Sequence, residues 1–379
     1  MIEKDLVAVL GAGNGGHAVA AFLALSGFKV NFFELPEFAA KFEKVAESGE
    51  IRIEGVLGSK TARLNLATTN IEKALDGAEV IFIVTPAFGH RTMAESCAPH
   101  VRDGQLICLM PGSGGSLETA RIFRRLNVKA DIVLAESTTL PFGARLKEPG
   151  VVSIFAQALI LPTGVFPARK TPDVIPKLQS YFPMIIPAQD VLEAAVNNPN
   201  PIVHPAAVLF SAAWIEHSHG DFYLYAEGLT PAVARAYEDL NRERLALCRA
   251  LDYRLYHWNN LDFETATLGD TEEECRLRIL CSSMDACFGL NSVLSGLKMR
   301  GPADMRDRYI TEDVPFGLVL NSTLGALLHI PMPTHDAIIQ LASVINRTDY
   351  WKTGRGVKEL GLQEIPEIDR LKAFLQNGF

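Results

Sequence analysis

Gly11-Ala12-Gly13-Asn14-Gly15-Gly16 carries the spacing GxGxxG. A glycine at the first position permits a tight turn, one at the second lets backbone approach a pyrophosphate, and one at the third allows close packing of helix on strand. Alone the pattern says little. Here an apolar run precedes it and a small, apolar stretch follows. In that strand–loop–helix setting the helix N-terminus stabilises phosphate charge. Glu34 stands 23 residues after Gly11 at the end of the next apolar run, where a carboxylate can accept from both ribose hydroxyls of an adenosine. Leu35 and Pro36 bring no arginine for a 2′-phosphate, so NAD(H) is favoured, NADP(H) stays open and FAD fits less well. The bland alternative is a tight turn with a surface glutamate. Two later loops, Thr85-Pro86-Ala87-Phe88 and Pro111-Gly112-Ser113-Gly114-Gly115-Ser116, also follow apolar runs. Each reads equally as a ligand contact and as an ordinary turn; Thr85 and Pro86 join Gly11–Gly16 and Glu34 as cofactor-binding candidates.

The nine histidines sort unevenly. His17 reads as a packing residue of the first helix, and His90, His100, His257 and His329 have no suggestive company. His217 and His219, two apart on a helix, diverge by about 200° and cannot chelate easily; no metal site is expected. His204 closes the polar, proline-rich stretch Asn197-Asn198-Pro199-Asn200-Pro201-Ile202-Val203, and Pro205 after it suits a helix first turn, so His204 is expected at a helix start. A second charged helix start is Arg306-Asp307-Arg308-Tyr309-Ile310-Thr311-Glu312-Asp313-Val314-Pro315. Spacing alone makes neither catalytic.

These residues must be carried by two kinds of architecture. Strands read at 6–10, 29–33, 79–84, 105–109, 131–135, 151–156, 158–161 and 184–187, with helices at 17–26, 87–98, 117–126 and 174–182, the rhythm of a doubly wound parallel sheet. From about residue 190 the texture is helical, at 205–218, 231–251, 272–281, 316–328, 337–346 and 368–375. Val233, Tyr237, Leu240, Leu247 and Leu251 form a buried stripe in the second of these. Arg244 interrupts it and reads as a structural ion-pair residue. The fold class is therefore an α/β Rossmann-type domain, 1–188, followed by an all-helical domain, 189–379. No flexible linker joins them, so firm packing with a cleft is expected.

The 379 residues are 48% hydrophobic and 21% charged, which excludes a disordered or fibrous chain. A net charge of −8 with no basic stripe argues against a nucleic-acid partner. No run is long and apolar enough for a membrane span, and the start has no signal-peptide character. Six cysteines without a CxxC pair read as reduced thiols of a cytoplasmic protein.

The glycine loop GAGNGGHA, the segments NNPNPIVHP with LFSAAWIE, FYLYAEGLTPAVARAYEDLNRER and RYITEDVP, and the tail DYWKTGRGVKELGL resemble the octopine/nopaline (opine) dehydrogenase family over almost the whole chain. The resemblance implies a dinucleotide domain, an all-helical domain, and NAD(P)H-dependent reductive condensation of an amino acid with a 2-oxo acid such as pyruvate. It places the proton-transferring histidine on His204, its partner aspartate on Asp313, and an arginine for substrate carboxylate on Arg308. It also sets Glu136, Ser137 and Thr138 at the substrate sites. Small-molecule substrates are then the partners, with a homodimer left open. The competing readings are a 2-oxo acid or ketopantoate-type reductase on the same architecture and a non-catalytic NAD-binding sensor.

Overall fold

A computed structural model of the chain describes residues 5–225, 227–254, 299–365 and 367–378. The helix expected over 272–281 lies outside the described residues. The chain divides into two compact units, Met1–Val191 with Leu375–Phe379, and Leu192–Phe374. The last residues, expected with the helical domain, group with the first unit, where Arg169 Nη1 donates to the Asn377 carbonyl at 3.1 Å.

The strands of the first unit are β1 (Leu6–Leu10), β2 (Lys29–Phe33), β3 (Glu50–Gly55), β4 (Lys60–Arg63), β5 (Leu66–Thr68), β6 (Val80–Ile83), β7 (Leu106–Leu109), β8 (Val133–Ser137), β9 (Phe142–Glu148), β10 (Val151–Gln157), β11 (Leu161–Phe166) and β12 (Ile185–Pro187). Eight of them form one sheet in the order β12-β11-β8-β7-β6-β1-β2-β5. It is parallel except where β11 runs antiparallel to β8. Val7, Val9, Phe32, Phe82 and Cys108 are fully buried in it, which is why these strands read as continuous apolar runs. Chain order leaves β1 in both directions, so β1 and β6 flank the topological switch point where such sheets bind ligands.

A second sheet, β4-β3-β10-β9, was not anticipated. The 151–156 strand belongs to it rather than to the main sheet. In β3, Ile51 and Ile53 are buried while Arg52 is exposed, the alternation of a strand with one covered face. This sheet packs on the Asn14–Leu25 helix, with Phe22 and Phe142 ring centroids 5.0 Å apart. That helix lies against the main sheet as well, which accounts for its nearly all-round apolar sequence. The strand expected over 158–161 is displaced to β11, which begins at Leu161 and runs on through Pro162, paired opposite Ile186.

The second unit is helical among the described residues. Its helices include Asn200–Phe210, Ala212–Ser218, Pro231–Leu251, Arg308–Thr311, Val319–Leu327, Pro333–Asn346 and Tyr350–Thr353. Ile202, Ala206, Tyr237, Leu240, Ile310, Val314, Leu318 and Ile339 form its core. Pro231–Leu251 begins where Thr230 accepts from the Val233 N–H and Pro231 fills the first turn. Arg244 within it is buried and donates to Asn241 Oδ1 and Asn197 Oδ1. The helix expected to start at Pro205 instead begins at Asn200. Asn198 Oδ1 accepts from the Asn200 N–H at 3.0 Å, and Pro201 takes the first-turn place. Pro205 lies inside the helix, so His204 is one turn in rather than at the start.

Candidate active site

In the first unit the glycine loop has the form a dinucleotide needs. Gly11 has φ +102°, and a Cβ there would lie 2.6 Å from Thr85 Cγ2. A Cβ at Gly16 would lie 1.7 Å from the Gly11 carbonyl oxygen. The loops after β1 and β6 are thus in contact, and any larger residue would separate them. Gly13 faces open space: a Cβ there would meet nothing within 4 Å. It caps the Asn14–Leu25 helix without a side-chain acceptor, and no acidic residue occupies the first turn. Such an N-terminus can receive a phosphate anion. Ala12 donates its N–H to Glu34 Oε2 at 2.8 Å, and Leu35 donates to Glu34 Oε1 at 2.7 Å. Burial raises the Glu34 pKa against these two hydrogen bonds. Asn14 serves the scaffold, its Oδ1 accepting from the Leu146 N–H of β9 at 2.8 Å. Thr85 Oγ1 is buried without a hydrogen-bond partner, an orphan polar atom at the switch point. Pro86 precedes the single turn Ala87–Gly89. These features fit an NAD(P) cofactor.

Glu136 is fully buried at the end of β8. Its Oε1 accepts from the Gly114 N–H at 2.9 Å, and its Oε2 from the Ser116 N–H at 2.9 Å and from the Ser116 hydroxyl. The carboxylate therefore braces the start of the Gly115–Arg125 helix. Gly112 is required beside it, since a Cβ would lie 2.2 Å from Glu136 Cβ. Ser137 Oγ donates to the Thr139 carbonyl at 2.7 Å, while Thr138 Oγ1 is buried without a partner. His90, read as having no company, packs against this loop, where a Gly115 Cβ would lie 2.3 Å from its Nδ1.

In the second unit His204 and Asp313 meet: Nδ1 and Oδ2 are 2.7 Å apart. Their side chains are 16% and 10% exposed, enough for a substrate to reach the imidazole while the carboxylate stays screened. Asp313 leads into a π-helical segment, Val314–Leu318. That segment lies close under the His204 helix because Gly317 has no side chain; a Cβ there would come within 2.0 Å of Pro201 Cγ. Arg308 places Nε and Nη2 on Glu312 Oε2, each at 2.7 Å. Burial lowers its pKa, and the carboxylates of Glu312, Asp313 and Asp307 outweigh that and raise it. Its side chain is 57% exposed, so the pair leaves much of the guanidinium to solvent. Tyr309 and Tyr225, which no motif singles out, lie beside His204, and Tyr237 of the buried stripe reaches the residue before it. Tyr309 stacks on the imidazole with centroids 4.1 Å apart, and Tyr237 donates its hydroxyl to the Val203 carbonyl. All three lie in the segments that carry the family resemblance, but nothing in their spacing joins them.

The fold and these residues define a dinucleotide-dependent dehydrogenase with a helical second unit. The N-terminal signature of NAD-dependent glycerol-3-phosphate dehydrogenases matches residues 6–121, and the alpha-helical domain of NAD/NADP octopine/nopaline dehydrogenases matches residues 187–346. The chain is 34% identical to an opine dehydrogenase of Arthrobacter sp. (strain 1C) over 366 residues, covering 96% of this chain and 97% of that one. It is 26% identical to an opine dehydrogenase of Haliotis discus hannai, covering 89% of each. The structure of an octopine dehydrogenase with NADH and L-arginine superposes with a TM-score of 0.74 at 22% identity, covering 98% of both chains. The chain belongs to the opine dehydrogenase family. It is an NAD(P)-dependent oxidoreductase of the class acting on CH–NH groups.

Proposed function

We propose that the protein condenses an amino acid with a 2-oxo acid such as pyruvate, and runs the reverse oxidation, using NADH in preference to NADPH. The amine attacks the keto carbon, water leaves, and the resulting imine carbon is reduced. When bound, the nicotinamide supplies the hydride. Gly11, Ala12, Gly13, Gly15 and Gly16 would hold the pyrophosphate, Glu34 the adenosine ribose, and Thr85 and Pro86 the facing edge. Asn14 contributes by tying the loop to β9. His204 moves a proton at Nε2, to and from the oxygen lost as water, while Asp313 on Nδ1 fixes the tautomer and stabilises the imidazolium. Arg308 orients a substrate carboxylate, and Ser137 and Thr138 lie at the substrate sites. Glu136, both of its oxygens hydrogen-bonded to the loop, positions those neighbours.

The observation that carries this is the His204–Asp313 pair in a chain of this family: one imidazole nitrogen is held by a screened carboxylate, and the imidazole keeps some exposure. A matrix of amino acids against 2-oxo acids, followed by NADH absorbance, tests it. Oxidation that needs both substrates is expected. Oxidation by the oxo acid alone would mark a simple 2-oxo acid reductase, and none with any pair would mark a sensor. We also assign the enzyme to the cytoplasm. In support, Cys97, Cys108 and Cys248 are buried free thiols, the usual state in a reducing compartment.

A further inference from the structure

The ring of Tyr309 lies over the His204 imidazole with centroids 4.1 Å apart and planes inclined by 29°. Asp313 holds the same imidazole in its own plane, through Nδ1. An in-plane hydrogen bond leaves the ring free to tilt about the bond, and a face contact removes that freedom. Tyr309 is itself held at both ends. Asp307 Oδ1 accepts from its backbone N–H at 3.0 Å, and its hydroxyl is hydrogen-bonded to the buried Tyr225. The Tyr225 ring lies 6.3 Å from the imidazole, and Tyr237 fixes the preceding carbonyl, that of Val203. Among the described residues the groups around His204 are Asp313, Tyr309, Tyr225 and Tyr237, with the Arg308–Glu312 pair at the Tyr309 helix and its C-cap.

We propose that Tyr309 is a positioning residue that fixes the plane of the His204 imidazole. Asp313 and Tyr309 restrain the same ring, one through its edge and one through its face. This inference rests on His204 being the proton-transferring group.

The test reads the NMR shifts of the His204 imidazole in the wild type, Tyr309→Leu and Tyr309→Phe, with kcat, KM and NADH affinity alongside. Tyr309→Leu is expected to lose the ring-current shift that a stacked tyrosine imposes on the imidazole. It should also cut kcat by roughly 10–100-fold through loss of orientation, with NADH affinity unchanged. Tyr309→Phe keeps the face and should retain the shift and most of kcat. Tyr309→Met, which fills the volume without a π face, carries the same expectation as Leu should that variant not fold. An unchanged imidazole shift in a folded Leu or Met variant overturns the proposal, as does a Phe variant as impaired as Leu. The NMR shift reads the stack whether or not His204 is catalytic. Full turnover in His204→Ala would overturn the assigned role of His204 and leave the stacking result standing.

Discussion

His204 and Asp313 stand 109 residues apart in the chain and 2.7 Å apart in the fold. Two helices with their own starting signals bring them together. Asn198 and Pro201 set the one bearing His204, and Asp307 Oδ1, accepting from the Tyr309 N–H, sets the short helix before Asp313. Gly317 lets the two approach. On the proposed role, the Asp313 carboxylate on Nδ1 would fix the tautomer and leave Nε2 for exchange with a substrate.

Replacing His204 by Ala is expected to lower turnover on the order of 10²–10⁴-fold, the usual contribution of general acid–base catalysis, with NADH still bound. Asp313→Asn should fold and lose most activity, because an amide neither fixes the tautomer nor stabilises the imidazolium. Steady-state kinetics beside NADH fluorescence titration check both. Near-normal turnover in folded His204→Ala would reduce the histidine to a helix residue.

Much of the scaffold was legible because its signals are local. β1, β2 and the glycine loop follow from apolar runs and three glycines. The Pro231–Leu251 helix follows from a cap, a proline and a stripe. The second sheet escaped notice because its short strands bury one face against a helix that the sequence shows only as unusually apolar. The His204 helix starts one turn before the expected place because Pro201 fits the first turn as well as Pro205 does, and Asn198 accepts from the Asn200 N–H there. Tyr309 and Tyr225 carry no local signal, and the stripe that marks Tyr237 as buried does not show its link to His204; that neighbourhood comes from separate stretches meeting in space.

Gly317→Ala tests that meeting. The added methyl would come within 2.0 Å of Pro201 Cγ, part of a ring that cannot swing aside. Overpacking of this kind costs about 1–3 kcal/mol. A lowered melting temperature is expected together with a fall in kcat, since the strain lies between the two helices that carry the pair. A variant with wild-type stability and turnover would show that the helices can separate without consequence.

Arg308 spends two donors on one oxygen of Glu312, so a substrate carboxylate would meet a guanidinium already oriented by that bond. Arg308→Lys removes the planar fork and is expected to raise KM for one of the two substrates at least about tenfold, with NADH affinity unchanged. An exposed ion pair contributes about 0–1 kcal/mol, so wild-type kinetics in the Lys variant would leave Arg308 as a helix-surface pair.

Glu34 should set cofactor choice. Its carboxylate is fixed on the Ala12 and Leu35 amides, and a 2′-phosphate on the ribose would add negative charge beside it. Glu34→Gln is expected to narrow the NADH-over-NADPH ratio of kcat/KM by about tenfold, the equivalent of roughly 1.4 kcal/mol of relieved repulsion. A ratio unchanged by the substitution would place discrimination elsewhere.

A second histidine–carboxylate pair should govern stability rather than turnover. His335 is fully buried, with Nδ1 2.7 Å from Glu243 Oε2, and Glu243 also accepts from the Thr334 and His335 N–H groups at the start of the Pro333–Asn346 helix. Burial lowers the His335 pKa, and the bond to Glu243 only partly opposes it. The unfolded chain therefore takes up this proton at a higher pH than the native one. Stability is fully present above the ordinary histidine value near 6.5 and falls as pH drops toward the lowered native value, by at most about 1.4 kcal/mol per pH unit. Burial also raises the Glu243 pKa, but the hydrogen bonds from His335 and Thr334 outweigh it and leave the pKa lowered, so its own contribution is lost only below about 4.5. His17 is also lowered by burial and adds a loss of the same sign, so the comparison must be with a variant rather than with a flat line. His335→Gln should be less stable at pH 7.5, yet lose less of its melting temperature than the wild type between pH 7 and pH 5. Scanning calorimetry of both proteins across that range decides it, and parallel profiles would mean that His335 protonates equally in the folded and unfolded chains.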